Sequence, residues 1–195
     1  MARIDRGDLR LLALEGLMVL FGVLAALLVD EWREDRALRA QAETARTHLV
    51  AEVRGNLGEL ESMRDIVSDR LALLDDLHGE MDGSVSLDSL SYRFGGYRQP
   101  DLAEGAWLRF STSGIAERVP PELVHDAFAL YAGHRYFQGL TDQVSRLVFS
   151  ELNVDPARSQ WGWHIAHGIM EQQIKWADYF IPLYRSFRDE WDGRG

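Results

Sequence analysis

Cysteine is absent from the 195-residue chain. Its absence excludes disulfides, thiolate nucleophiles and cysteine-based zinc sites, and it is compatible with either side of a bacterial membrane. Basic residues are few, since 21 Lys and Arg stand against 31 Asp and Glu, for a formal net charge of −10. Nucleic-acid binding needs clustered cations, and the sequence has no basic cluster, so a nucleic-acid partner is not expected.

The sequence also lacks the common catalytic loops. Ser113-Gly114 has no Gly-x-Ser-x-Gly context and no preceding strand pattern, so it is not a nucleophile elbow. The stretch from Phe94 to Tyr97 holds two glycines but no lysine of a phosphate-binding loop. Both stretches are typical of helix ends and loops. No catalytic residue is predicted, and an enzymatic role is not favoured.

Histidines are the only candidates for a metal or acid–base centre. His164 and His167 lie three residues apart on one predicted helical face, and Glu171 follows four residues later. His125 and His134 fall on the preceding predicted helix. Di-metal sites in helical bundles use two Glu-x-x-His motifs and two further glutamates, a set that this chain does not contain. A polar or solvent-exposed histidine seam is therefore favoured over a metal site, and no cofactor is expected.

One long apolar segment is present, near the amino terminus. Residues 11–29, LLALEGLMVLFGVLAALLV, contain a single charged residue, Glu15. A bilayer core of about 30 Å needs about 20 helical residues. The segment is apolar on every side, whereas a helix packed on a soluble domain keeps a polar face. We therefore predict a cytoplasmic tail over 1–10, a transmembrane helix over 11–29 and a membrane interface at Trp32. A buried core helix is the alternative.

The direction of insertion rests on a small asymmetry. Three arginines precede the segment and four follow it closely, so the positive-inside rule nearly cancels. A tail of about ten residues is easily left in the cytoplasm, and the downstream part of the chain is acidic. No small-x-small cleavage site follows the segment, so the anchor is expected to stay. The sequence predicts a bacterial inner-membrane protein with a periplasmic carboxy-terminal domain.

Glu15 shares one stripe of the predicted helix with Val19, Gly22 and Ala26. Small residues four apart let two helices approach closely, and an acid inside a membrane faces protein or a water-filled cavity. The stripe predicts that the spans associate, with Glu15 either hydrogen-bonded across an interface or lining a narrow pore. Alternatively, Glu15 lies near the headgroups and extends outward to them.

Beyond this segment the apolar residues keep a helical period, and no alternating run predicts a strand. The pattern predicts a long amphipathic stalk helix over 30–78, a loop region over 79–106 and a helical bundle segment over 107–195. Prolines at 121 and 156 are suited to the first turns of helices. The predicted fold class is all-α: one transmembrane helix that continues into the stalk, followed by a bundle of about four helices.

Several motifs of this sequence resemble those of a family of uncharacterised bacterial single-span membrane proteins. The resemblance rests on Leu14-Glu15-Gly16, the apolar run from Leu20 to Leu27, and Trp32 with its charged neighbours. Pro121-Glu122-Leu123-Val124, which precedes Tyr131, is similar to the carboxy-terminal segment of that family. The resemblance implies a membrane-anchored helical protein whose glutamate belongs to the family pattern. It implies no activity.

Together these features predict a single-pass inner-membrane protein whose extracytoplasmic helical domain is an oligomeric interaction or scaffold module. The expected partners are the lipid bilayer and further copies of the chain, joined through the transmembrane and stalk helices. A small oligomeric channel or mechanically gated pore lined by the Glu15 stripe is the alternative. An envelope enzyme that uses the histidine seam is a second alternative.

Overall fold

The computed structural model describes residues 6–80, 86–95, 98–148 and 156–193. Within these ranges all of the regular secondary structure is helical and there is no strand, which confirms the predicted all-α class. In the part of the chain that the structure describes, three short 3₁₀ turns lie between or beside the helices. The helices are α1 Arg6–Asp76, α2 Leu87–Phe94, α3 Gly105–Thr112, α4 Pro121–Val148 and α5 Ser159–Trp191.

Helix α1 has 71 residues and, at 1.5 Å per residue, is about 107 Å long. Its carboxy-terminal half buries one face. The buried apolar side chains recur at spacings of three, four or seven residues, which places them on one stripe of the helix. These residues are Leu49, Val53, Leu57, Leu60, Met63, Val67 and Leu74.

The amino-terminal part of α1 is different, because the rest of the described chain leaves its apolar side chains largely exposed. From Leu14 to Val29 nearly every side chain is exposed, and Phe21 reaches 73%. The alternative of a helix buried in the core of this chain is therefore wrong. Among the residues that the structure describes, no helix is both long and apolar enough to cross a membrane. Residues 11–13 of the predicted span and the tail over 1–10 have no described side chains.

Helices α1, α4 and α5 pack around one hydrophobic core. Helix α5 runs antiparallel to α1. Residues near the end of α5 contact the middle of α1, and residues near the start of α5 contact the end of α1. Three contacts show this: Arg46 donates to the Trp191 carbonyl, Arg64 pairs with Asp178 at 2.6 Å, and the Trp163 indole donates to the Leu74 carbonyl at 3.1 Å.

The region predicted as a loop contains helix α2. The Ser86 hydroxyl accepts a hydrogen bond from the Ser89 amide at 3.2 Å and so caps the first turn. Gly95 ends the helix at φ 82°, a left-handed conformation that glycine adopts without a steric penalty, and its amide donates to the Ser91 carbonyl. The apolar residues of the segment were too few for its periodicity to be recognised in the sequence.

Candidate functional site

A carboxylate from α1 caps the short helix α3. Glu104 precedes the first residue of α3 and makes no capping bond with its own side chain. Glu52 supplies the cap instead, accepting from the Ala106 amide at 2.7 Å and the Trp107 amide at 3.2 Å. The negative charge at the amino-terminal end of α3 also stabilises the helix dipole. Glu52 therefore fixes α3 against α1.

The irregular segment 98–104, which we call the strap, crosses between the long helices before α3. The side-chain amide of Asn56 bonds both backbone groups of Ala103, donating to the carbonyl and accepting from the amide at 2.8 Å each. Gln138 on α4 donates to the Leu102 carbonyl at 3.2 Å, and Gln173 on α5 donates to the Arg98 carbonyl at 2.8 Å. Side chains of three helices thus satisfy backbone groups that lack partners in a helix.

Aromatic rings and a histidine stack beside the strap. The Tyr131 ring lies parallel to Trp107, with 5.2 Å between centroids, and also stacks on His134 at 5.7 Å. The Tyr131 hydroxyl donates to Glu52 at 2.7 Å, and the Tyr184 hydroxyl lies 3.3 Å from Nδ1 of His134. We refer to Glu52, Tyr131, His134 and Tyr184 as the polar core.

Burial shifts the pKa values of the histidine and of the two tyrosines of the polar core toward their neutral forms. Burial is the main cause that lowers the pKa of His134, and the Glu104 and Glu52 carboxylates oppose it. Burial also raises the pKa of Tyr131 and of Tyr184, so both phenols stay protonated at physiological pH. Neutral imidazole and neutral phenols in a packed interior act as hydrogen-bonding groups, and the arrangement joins α1, α4 and α5.

The structure does not bring the predicted metal candidates together. Nε2 of His167 lies 3.3 Å from Asp75 on α1, whereas Glu171 faces Lys175 at 3.7 Å. His164 packs against the edge of Trp163. Among the described residues, no group of three or more His, Cys, Asp or Glu side chains is arranged to hold a metal ion.

The two histidines predicted to lie on the preceding helix are placed differently. His134 is buried in the polar core. His125 is exposed on the second turn of α4 and belongs to the single Glu-x-x-His of the chain, Glu122 to His125. Glu122 is exposed as well, so this motif is a solvated feature of the amino-terminal part of α4.

An imidazole cluster surrounds Trp163 at the end of the bundle farthest from the apolar segment. The indole centroid lies 4.2 Å from that of His78, 4.9 Å from that of His164 and 4.7 Å from that of His167. The sequence places His164 and His167 on one helical face, but it could not indicate that His78 joins them, because His78 follows α1 and is separated from α5 by more than eighty residues. Trp163 is itself fixed by its hydrogen bond to α1.

The predicted stripe Glu15, Val19, Gly22 and Ala26 is exposed along α1. A Cβ atom at Gly22 would meet no atom of the described chain within 4 Å, so this glycine serves no close approach inside the chain. Trp32 is exposed too, and the Arg36 guanidinium lies 5.5 Å from its ring centroid. The role of the stripe therefore depends on what surrounds α1.

Comparison with models of known protein families, with characterised proteins and with solved structures finds no match.

Proposed function

We propose that the chain is a single-pass inner-membrane protein that holds a helical bundle at a fixed distance from the bilayer and acts as an oligomeric scaffold module. One observation carries the proposal. The exposed apolar surface over 14–29 and the buried face that begins near Leu49 belong to one uninterrupted helix. Apolar side chains that no part of the described chain covers are stabilised by transfer into lipid, at about 25 cal/mol per Å².

The bundle also contacts α1 close to the end of the apolar segment. Arg118, which follows α3, pairs with Asp35 at 3.0 Å, six residues beyond Val29. Six helical residues rise about 9 Å, so this contact would lie just outside the headgroups. Leu77 is 48 residues beyond Val29, which places the opposite end of the bundle about 72 Å away. Such a bundle is suited to presenting a surface far from the membrane.

Membrane association is tested by fractionation of bacteria that express the full chain. We expect the protein in the membrane pellet after an alkaline carbonate wash, and we expect Leu20→Arg with Leu24→Arg to move it to the supernatant. Leu73→Arg is the matched control, because Leu73 is an exposed leucine of the same helix outside the apolar segment. Wild-type protein in the carbonate supernatant would contradict the proposal.

Orientation is tested with single cysteines, since the chain has none of its own. We expect Leu73→Cys to react with a membrane-impermeant maleimide in spheroplasts, because a periplasmic bundle is open to the reagent. Labelling that needs lysis of the inner membrane would place the bundle in the cytoplasm instead.

Self-association through the Glu15 stripe is tested by light scattering of the detergent-solubilised chain. Gly22→Leu adds bulk on the stripe, and Glu15→Gln removes its charge, so we expect a lower mass for at least the first variant. Leu24→Phe adds bulk on the opposite side of the helix and is expected to keep the wild-type mass. An unchanged mass for Gly22→Leu would exclude the stripe as the interface.

A further inference from the structure

A groove of about 540 Å³ runs between α4 and α5 and is lined almost entirely by aromatic and aliphatic side chains. Tyr136 and Tyr179 are 59% and 60% exposed there, so the groove presents aromatic surface to solvent. The residues that form its walls are Leu130, Gly133 and Tyr136 on α4 and Trp176, Tyr179 and Leu183 on α5.

The floor of the groove is closely packed. A Cβ atom at Gly133 would lie 2.6 Å from the Phe180 ring, so only glycine at this position lets Phe180 lie against α4. The Trp176 ring stacks on Phe180 with 5.6 Å between centroids, and the Tyr136 ring lies 5.4 Å from that of Trp176. A preorganised aromatic surface of this kind loses little side-chain entropy when a partner binds.

The charge of the groove has one sign. Among the described residues that line it, the two that carry a charge at neutral pH are Asp126 and Glu190. Both lie at the end that faces Trp191, since the Asp126 carboxylate accepts from the Trp191 indole at 3.4 Å. The opposite end holds Tyr136 and Trp176. The groove is thus apolar along its length and acidic at one end.

We propose that this groove binds one amphipathic helix of a partner protein, with an apolar face and lysine or arginine residues at one end. The dimensions agree with this occupant. Residues 126–136 of α4 rise about 15 Å and residues 176–190 of α5 rise about 21 Å, which is the length of three to four helical turns. Apolar side chains at every third or fourth position would lie between the tyrosines, as in other helix-in-groove complexes.

The charge of the groove favours a basic helix over two other occupants, a second copy of this chain and anionic lipid headgroups. A second copy of this chain carries the same acidic end and a net charge of −10, so two grooves would repel each other. Anionic lipid headgroups would be repelled by the same carboxylates. A basic helix is attracted by the negative charge at this end of the groove.

The test uses the full chain in phosphatidylcholine nanodiscs and a fluorescent synthetic helix of about 14 residues. Leucines at positions spaced by three and four form its apolar face, and lysines occupy one end. A matched peptide carries glutamates in place of the lysines, and empty nanodiscs give the background from lipid. We expect saturable binding of the lysine peptide and at least about tenfold weaker binding of the glutamate peptide.

Variants locate the binding site. Tyr179→Ala with Leu183→Ala is expected to weaken binding at least about tenfold, because exposed aromatic residues at the centre of an interface carry much of its affinity. Asp126→Asn with Glu190→Gln, which keeps the apolar walls, is expected to remove most of the salt dependence. Tyr92→Ala removes a tyrosine that is 92% exposed on α2 and is expected to bind as wild type.

Three results would overturn the proposal: equal binding of the two peptides, wild-type affinity in the Tyr179→Ala, Leu183→Ala variant, or binding that empty nanodiscs fully account for. A drop in the mass of the unliganded chain in that variant would also overturn it, because the groove would then join two copies. Circular dichroism of each variant establishes that it is folded. A chain that does not enter nanodiscs is titrated in buffer instead, so failure of membrane anchoring and failure of the groove proposal give different results.

Discussion

The Tyr131 hydroxyl on α4 donates a hydrogen bond to the Glu52 carboxylate on α1 at 2.7 Å. The same carboxylate caps α3, so one acidic side chain holds three helices together. A hydrogen bond to a charged group contributes about 1.5–3 kcal/mol, whereas an exposed ion pair contributes less than about 1 kcal/mol. Glu52 therefore stabilises the bundle more than the ion pairs on its surface do.

Tyr131→Phe tests this contact. The ring stack on Trp107 remains while the hydroxyl is lost, so we expect a loss of about 1.5–3 kcal/mol in the free energy of unfolding. For a chain of this length the loss corresponds to a fall of several degrees in the thermal midpoint, measured by near-ultraviolet circular dichroism. Tyr92→Phe removes an exposed hydroxyl and should leave the midpoint unchanged. Equal midpoints for the two variants would show that the Glu52 bond is not stabilising.

His134 predicts how stability depends on pH. Burial lowers its pKa in the folded chain, so the unfolded state, with a pKa of about 6.5, binds the proton more strongly. Stability from this group is therefore complete above about pH 6.5 and is lost as pH falls toward the folded pKa, by up to about 1.4 kcal/mol per pH unit. The charged and polar groups that face His134 are Glu52, Glu104, Arg135, Tyr184 and the Leu102 carbonyl.

Thermal midpoints at pH 8, 7, 6 and 5 measure this dependence. The His134→Gln variant should lose part of the acid sensitivity of the wild type, since glutamine does not titrate. His125→Gln, an exposed position on the same helix, should keep the wild-type pH profile. If His134→Gln and wild type fall in parallel from pH 7 to pH 5, the buried imidazole is not responsible for acid sensitivity.

Gly133→Ala tests the close approach of α4 and Phe180. Alanine inside a helix ordinarily stabilises by about 1 kcal/mol relative to glycine. At Gly133 the new Cβ would lie 2.6 Å from a buried ring, so overpacking should instead destabilise by about 1–3 kcal/mol. At Gly168 on α5 a Cβ would meet no described atom within 4 Å, and Gly168→Ala should raise the thermal midpoint. Stabilisation by both substitutions would mean that the two helices are not in contact at Gly133.

Asn56→Leu tests the strap. The leucine fills a similar volume but leaves both backbone groups of Ala103 without their partner, at a cost of about 1–3 kcal/mol. We expect faster hydrogen exchange over residues 98–107 and unchanged exchange over 60–70 of α1. If exchange in the strap equalled that of the wild type, the Asn56 bonds would not be holding it in place.

The parts of the fold that sequence predicts are those with a local cause. The period of Leu49, Val53 and Leu60 indicates a buried helical face, and Pro121 indicates where α4 begins. Contacts between distant positions have no such signal. Asn56 and Ala103 are 47 residues apart, and nothing in either local sequence indicates their pairing.

Two features of the candidate sites show the same limit. In the sequence Glu52 is indistinguishable from the other charged residues of an amphipathic helix, although in the structure it caps α3. Tyr179 is an aromatic residue of an amphipathic helix, which on its own suggests a core position, although the packing of α4 leaves it exposed. Which face of a helix stays open depends on how its neighbours pack, and the periodicity of a single helix does not contain that information.

The central claim, that the apolar part of α1 lies in lipid, is tested most directly by a nitroxide spin label at Leu20→Cys in the reconstituted full chain, with Leu73→Cys as the aqueous reference. Collisions with oxygen report lipid and collisions with a water-soluble nickel complex report solvent. We predict high oxygen and low nickel accessibility at position 20, and the opposite at position 73. Equal, high nickel accessibility at both positions would contradict the membrane-anchored account.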